Sequence, residues 1–327
     1  MPTRALCRSG IIFIFGFVVL FAICSVYYQV RVLQSDNLLR QFEYVKQESL
    51  QPEVVFFGDS HPAMDVRTSV MGERYFNFAF PSFNLREAYL KAQFILEHKP
   101  HVRAFVIPAD DHIFSVYRAE DRNFAPMLHL VRLRDVWQVY RFRPLDALVS
   151  LATYAVPLSH PMHRQEFVRV FKKDVASLFT GESLERDLFW DDRDQLILRE
   201  GKSWSDIPEG QRKESVASRV HVQLRDPLVN GKLISALERI FTLAQAHGVM
   251  VIGVRYPVVR EYQDHARFMD IASVRAVLAA MPFRAILDYQ QLYDDRQDLF
   301  QDEDHLNETG ALLFSQRLAS DLEALLR

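Results

Sequence analysis

Two clusters in this 327-residue chain have the residue types and spacing for acyl chemistry. The first is Gly58-Asp59-Ser60-His61-Pro62, which follows Glu53-Val54-Val55-Phe56-Phe57. The apolar run, β-branched and aromatic, reads as a buried strand that Gly58-Asp59-Ser60 turns sharply at its carboxyl end. A serine on that corner lies where ligands bind in an open α/β sheet, and the N–H groups opening the next helix can meet a developing negative charge. Serine alone is a weak nucleophile and needs a base held by a third group. The second cluster, Asp302-Glu303-Asp304-His305-Leu306-Asn307, supplies both. Three residues apart in a turn entering a helix, Asp302 can orient the His305 imidazole while His305 takes the Ser60 proton and returns it to the leaving group. Glu303 and Asp304 read as solvent-facing charges, either of which becomes the orienting acid in a shifted register, and Asp59 reads as support for the turn. A simpler use of the same residues is helix capping, by Ser60 at one helix start and by Asp302 at another.

The elements that must position these groups alternate between strand and helix. Strands are expected at 54–57, 74–79, 102–108, 249–254 and 283–288. Apolar stripes at Leu85, Tyr89, Ala92, Ile95 and Leu96, and at Leu233, Leu237, Ile240, Phe241 and Ala244, mark helices between them, with Gly248 suited to the left-handed residue after the second. A helix around 261–280 and a last one beyond His305 complete the pattern. Strand, helix, strand in this order implies a parallel sheet with right-handed crossovers. The expected fold is α/β, a three-layer sandwich around a five-stranded, mainly parallel sheet. Between about 113 and 228 the alternation gives way to an insertion holding Arg141-Phe142-Arg143-Pro144, an amphipathic helix around 165–171 and a polar stretch from Trp190 to Lys213. It reads as a cap over the site or a docking surface.

The N-terminus speaks to location. Residues Gly10 to Val30 are uncharged and overwhelmingly apolar, long enough at about 1.5 Å per residue for the roughly 30 Å hydrocarbon layer. Arg4 and Arg8 before the run favour a cytoplasmic tail and a domain outside. The expected organisation is a tail and transmembrane anchor at 1–32, a stalk at 33–51 in which Gln34 to Glu48 are compatible with a short helix, and an extracytoplasmic domain at 52–327. A cleaved signal peptide is the alternative, with no clear small-x-small site to support it. Both cysteines, Cys7 and Cys24, precede the domain, which therefore has no internal disulfide and no cysteine-held metal. A composition of 49% hydrophobic and 25% charged residues is that of a folded domain, and a net charge of -3 gives no case for nucleic acid. No cofactor and no metal are expected: Asp110, Asp111 and His112, with His160 and His163, share no ligand spacing. Arg132, Arg134, Arg141 and Arg143 read as a solvated face or as a stripe for anionic lipid or polymer.

At these residues the chain resembles the SGNH (GDSL-type) hydrolase superfamily, a flavodoxin-like α/β fold. Gly58-Asp59-Ser60 looks like its first block and Asp302-x-x-His305-Leu306-Asn307 its last, over roughly 52–112 and 230–327. The resemblance implies a Ser60, His305, Asp302 triad. The family's second block, Asn-x-Gly-x-x-Gly, reads here as Asn77-Phe78-Ala79-Phe80-Pro81-Ser82, so the Ala79 N–H is the expected oxyanion donor beside that of Ser60. The third-block asparagine is replaced in Pro108-Ala109-Asp110-Asp111-His112, and an ionised aspartate cannot donate to an oxyanion. That donor is then absent, replaced by His112 or supplied by the insertion. His61 and Asp111 are candidate substrate contacts.

The departures and the N-terminal anchor look like the membrane-anchored acyl-transfer branch, similar to proteins of alginate O-acetylation and to the DltD-type proteins of teichoic-acid D-alanylation. That implies an O-acyltransferase acting on a cell-envelope glycan beside a multispanning membrane-bound O-acyltransferase. Hydrolysis of such esters and a non-catalytic scaffold for the membrane enzyme are the alternatives.

Overall fold

The computed structural model describes residues 2–28, 37–119, 161–180 and 203–327, with side chains of the first segment described from Ile12 onward. The basic stripe at 132–143 and His160 lie outside the described residues. Helix α1 covers Pro2–Tyr27 and α2 covers Asn37–Val45. The domain then runs β1 (Val54–Phe56), α3 (Ser60–Asp65), α4 (Thr68–Met71), β2 (Tyr75–Asn77), α5 (Leu85–His98) and β3 (Ala104–Pro108). After α6 (Pro161–Thr180) and α7 (Glu209–Gln223) come α8 (Gly231–Ala246), β4 (Met250–Arg255), α9 (Arg260–Ala266), α10 (Ile271–Ala280), β5 (Ala285–Asp288) and α11 (Glu308–Leu326).

The five strands form one sheet in the order β2-β1-β3-β4-β5, every pairing parallel. Val54, Val55 and Phe56 are fully buried, as are Ala104 to Ile107, which is why these central strands read as unbroken apolar runs without alternation. Helix α5 packs on α8, whereas α11 packs on α3 and α4. The helix expected over 261–280 is two helices, α9 and α10, separated at 267–270. Gly248 has φ +68° after the end of α8, the left-handed conformation its position calls for.

Two expectations about the N-terminal part are corrected. Among the described residues no helix is long and apolar enough to cross a membrane. The residues beyond 36 are also no stalk. Leu38, Phe42 and Val45 lie on one face of α2 and are buried in the main core, where the Phe42 ring meets those of Phe78 and Phe94 at 5.0 and 4.6 Å. The folded domain therefore begins at α2, ahead of the expected residue 52.

The insertion likewise contributes to the core at both ends. Phe114, Trp204, Val216 and Leu224 are fully buried, and α7 packs against α9. That contact brings the last turns of α7 to the loop that carries His305.

Candidate active site

Ser60 is the first residue of α3, directly after β1 and its turn. Gly58 makes the turn with φ +137°. Asp59 caps α3, its Oδ1 accepting the His61 N–H at 3.0 Å, so it supports the corner as its position suggests. The His305 loop is fixed independently. Leu306 N–H donates to Asp65 Oδ1 at 2.9 Å, and Asn307 caps α11 by accepting the Gly310 N–H at 3.0 Å. Arg67, just beyond α3, grips Glu308 of α11 through its Nη2 at 3.0 Å. Helix α3 and the His305 loop are thus held to each other by backbone and charge.

These constraints bring the expected triad together. Ser60 Oγ lies 2.9 Å from His305 Nε2, and His305 Nδ1 lies 2.9 and 3.0 Å from the two oxygens of Asp302. Asp302 Oδ1 also accepts the His305 N–H at 2.9 Å and the Asp304 N–H at 3.1 Å, which fixes the carboxylate that fixes the ring. Burial disfavours a charged imidazole here, but Asp302 and Asp304 outweigh it and hold His305 well above the ordinary histidine range.

Glu303 and Asp304 are not solvent-facing. Asp304 is fully buried with Oδ1 3.2 Å from His305 Nδ1, while its Oδ2 accepts from Gln223 Nε2 at 2.6 Å and faces His61 Nε2 at 3.5 Å. Glu303 takes Arg219 Nε at 2.6 Å and Ser215 Oγ at 2.9 Å. Arg219 also reaches Asp304 at 3.4 Å and Asp302 at 3.9 Å, one cation serving three carboxylates. Burial and then Asp304 act in opposite senses on its guanidinium, which the three acids raise above its ordinary range. The α7 residues Arg219 and Gln223, and Tyr262 of α9 whose OH donates to Gln223 Oε1 at 2.6 Å, were not legible as site residues. Their four-residue spacing on one helix face was the available signal, with nothing in the sequence to say which loop that face meets.

His61 is buried, with Nδ1 2.8 Å from Asp110 Oδ2. Burial opposes its charge, yet Asp110 first and then Asp304 and Asp59 push it up to about 10. It is therefore packed beneath the site and not on a substrate-facing loop. Asp110, at the position of the third-block asparagine, spends its other oxygen on the Tyr256 N–H at 2.9 Å. Asp111 is committed to a double fork, Arg255 Nη2 at 2.8 Å and Arg275 Nη2 at 2.9 Å, so it is not a substrate contact. His112 accepts from Arg118 Nη2 at 2.6 Å, and burial with the Arg118 charge lowers it into the neutral form. Arg118 also pairs with Asp59, whose carboxyl it holds well below the usual range against the opposing effect of burial. His112 is thus occupied beneath the turn and is not the missing oxyanion donor.

The second-block expectation is corrected as well. The Ala79 N–H already donates to Asn77 Oδ1 at 3.1 Å, and the Ala79 carbonyl accepts from Gln41 Nε2 at 2.8 Å. Asn77 uses its amide on the carbonyls of Pro62 and Val66, at 2.7 and 3.2 Å, clamping the end of α3. Ser82, in the place of the family's second glycine, has φ 66°, so the backbone keeps a conformation that favours glycine. The Ser60 N–H opens α3, where no intrahelical acceptor exists.

Among the described residues, two buried groups combine residue types that bind metals: His61, Asp110 and His112, and His61, Asp304 and His305, with candidate ligand atoms within 4.8 Å of one another. Local sequence spacing did not show this, because β1, β3 and the loop before α11 bring the members together. Their donors are engaged by protons and cations already, since Arg118 sits on His112 and Asp59 while Arg219 and Gln223 hold Asp304. In comparisons with known proteins, no family model matches the chain and no curated protein matches it.

Proposed function

We propose that the chain is a serine-dependent acyl-transfer enzyme of SGNH type, a three-layer α/β sandwich in which Ser60 attacks an acyl carbonyl. The observation that carries this reading is the unbroken line from Ser60 Oγ to His305 Nε2 and from His305 Nδ1 to Asp302, at 2.9 Å in both links. His305 receives the hydroxyl proton as the tetrahedral intermediate forms, the Ser60 N–H supports the oxyanion, and the protonated ring then delivers its proton to the leaving oxygen. A second hydroxyl repeats the sequence in reverse and carries the acyl group away. A glycan hydroxyl makes the reaction a transfer; water makes it ester hydrolysis.

Apolar helix α1 supports a place at a membrane. Ile12, Phe13, Ile14, Phe15, Phe17 and Leu20 are each at least 60% exposed, and a helix apolar on all sides calls for lipid or protein around it. We therefore place the domain at an extracytoplasmic membrane face, acting on a cell-envelope polysaccharide with a multispanning membrane-bound O-acyltransferase as partner. The second reading is a scaffold for that partner, and the engaged Ala79 N–H favours it, because of the two expected backbone donors it leaves that of Ser60 for the oxyanion.

The test is acylation of the full chain in detergent with a fluorophosphonate or an activated acetyl ester, followed by intact mass. An enzyme gains one adduct on Ser60, and Ser60→Ala and His305→Ala reduce its formation at least about 10³-fold. A folded wild-type chain that stays unlabelled sinks the catalytic reading in favour of the scaffold.

A further inference from the structure

The acyl-transfer reading uses one carboxylate on His305, yet the structure provides two. Asp302 and Asp304 both approach Nδ1, at 2.9 and 3.2 Å. Each favours the imidazolium, and an imidazolium cannot take the Ser60 proton. Asp302 already fixes tautomer and orientation, so an uncompensated Asp304 would work against the base.

Asp304 is compensated from behind. The His61 ring stands edge to face with that of His305 at 5.3 Å, and its two nitrogens face carboxylates on opposite sides, Asp110 at 2.8 Å and Asp304 at 3.5 Å. Only the doubly protonated imidazole donates in both directions. Asp110, His61, Asp304 and His305 form a continuous buried chain that reaches Ser60, and its first three members alternate in charge. We propose that His61 is a positioning residue whose fixed positive charge holds Asp304 behind His305 and leaves His305 able to release its proton in the working pH range. This rests on the reading of Ser60 and His305 as the acyl-transfer pair.

The surrounding charges leave His61 with a defined part. Facing His305 are Asp302 and Asp304 from its own loop, His61 and Asp65 from α3, and Arg219 from α7. Facing His61 are Asp59 before α3, Asp110 and His112 after β3, Asp304 and His305, with the Tyr256 ring at 5.8 Å. Arg219 meets the other oxygen of Asp304 from a half-buried position, so His61 is the fully enclosed cation on that carboxylate. Removing it subtracts a repulsion from the His305 imidazolium and uncovers an attraction; both effects have the same sign.

The experiment is an NMR titration of the His305 ring in the full chain in detergent, assigned with His305→Gln and repeated in His61→Asn, His61→Gln and Asp304→Asn. At about 5 Å and an effective dielectric near 20, the midpoint rises by roughly two pH units in both His61 variants and falls by at least as much in Asp304→Asn. His61→Gln keeps a donor toward Asp304 without the charge, so either His61 variant that folds decides the sign. Unmoved midpoints, or shifts of one sign in all variants, overturn the proposal, since a merely structural loss has no reason to change sign between the two positions. Fluorophosphonate labelling of Ser60 against pH is read in parallel and follows the same midpoints. Shifted titrations with no labelling fail the acyl-transfer reading, whereas labelling with fixed midpoints fails the role of His61.

Discussion

Among the described residues, no cationic side chain touches the Asp65 carboxylate directly. Its Oδ1 accepts from Leu306 N–H at 2.9 Å, while its Oδ2 is buried without a hydrogen-bond partner. Burial raises it to about 7, with His305 and His61 only partly opposing the shift. A carboxyl raised this far binds its proton in the folded chain at pH values where the unfolded chain, at the ordinary 3.8, has lost it. Folding therefore takes up a proton between about pH 4 and 7, and stability falls as pH rises through that window. Asp65→Asn keeps the acceptor and removes the titration. Wild-type stability relative to this variant should fall by roughly 3–4 kcal/mol between pH 4 and pH 7.5, measured by urea unfolding at each pH. A difference that stays flat over that range removes the assignment. His61, which titrates near 10, stays charged throughout and does not confuse the comparison.

At the scale of elements, the turn between β1 and α3 sets where Ser60 stands. Gly58 sits at φ +137°, and a Cβ there would overlap the Pro108 ring at the end of β3 and touch Pro62 Cγ at 3.0 Å. Gly58→Ala combines backbone strain with a clash between strand ends, a loss of about 2–4 kcal/mol. It should lower thermal stability and slow Ser60 labelling together. Wild-type labelling and melting in that variant would show the corner to be slack. Such a corner is legible in a sequence because strand, glycine and serine are contiguous, and the Asp302 to His305 turn is legible for the same reason. The five strands were visible because central parallel strands are apolar without interruption. The burial of helix α2 was not, since Leu38, Phe42 and Val45 lie among Arg40, Gln41 and Glu43 in a short helix, and the stripe shows only once Phe78 and Phe94 stand against it. The reach of α7 to Asp304 was hidden because a helix face declares that it is covered, never by what. The engaged Ala79 amide was hidden too, being a backbone bond to a side chain that sequence assigns to its own role.

For the whole molecule, packing separates α1 from the domain it precedes. The main core gathers residues from Leu38 to Leu326, and none of the described side chains of α1 belongs to it. Tyr28, at the end of α1, instead belongs to a small second cluster with Phe21, Leu39, Phe167 and Val170. There the Tyr27 ring lies 5.5 Å from Phe167 and 5.7 Å from Phe171, and its OH donates to Asp174 at 2.6 Å. Helix α1 thus meets α6, a part of the insertion, while the sheet and the triad rest on contacts that α1 does not supply. Stability and membrane attachment should then separate cleanly. A chain lacking residues 1–28 should melt within about 5 °C of the full chain, because the contacts that unfold cooperatively lie in the main core. The same deletion should abolish flotation with phospholipid vesicles while leaving Ser60 open to labelling. Should the shortened chain float as well as the full one, attachment belongs to α6 or another surface, and the exposed apolar side chains of α1 need a different partner. Should it fail to fold, the small cluster around Tyr28 carries more of the stability than its size implies, and the sandwich is not independent of its N-terminal helix.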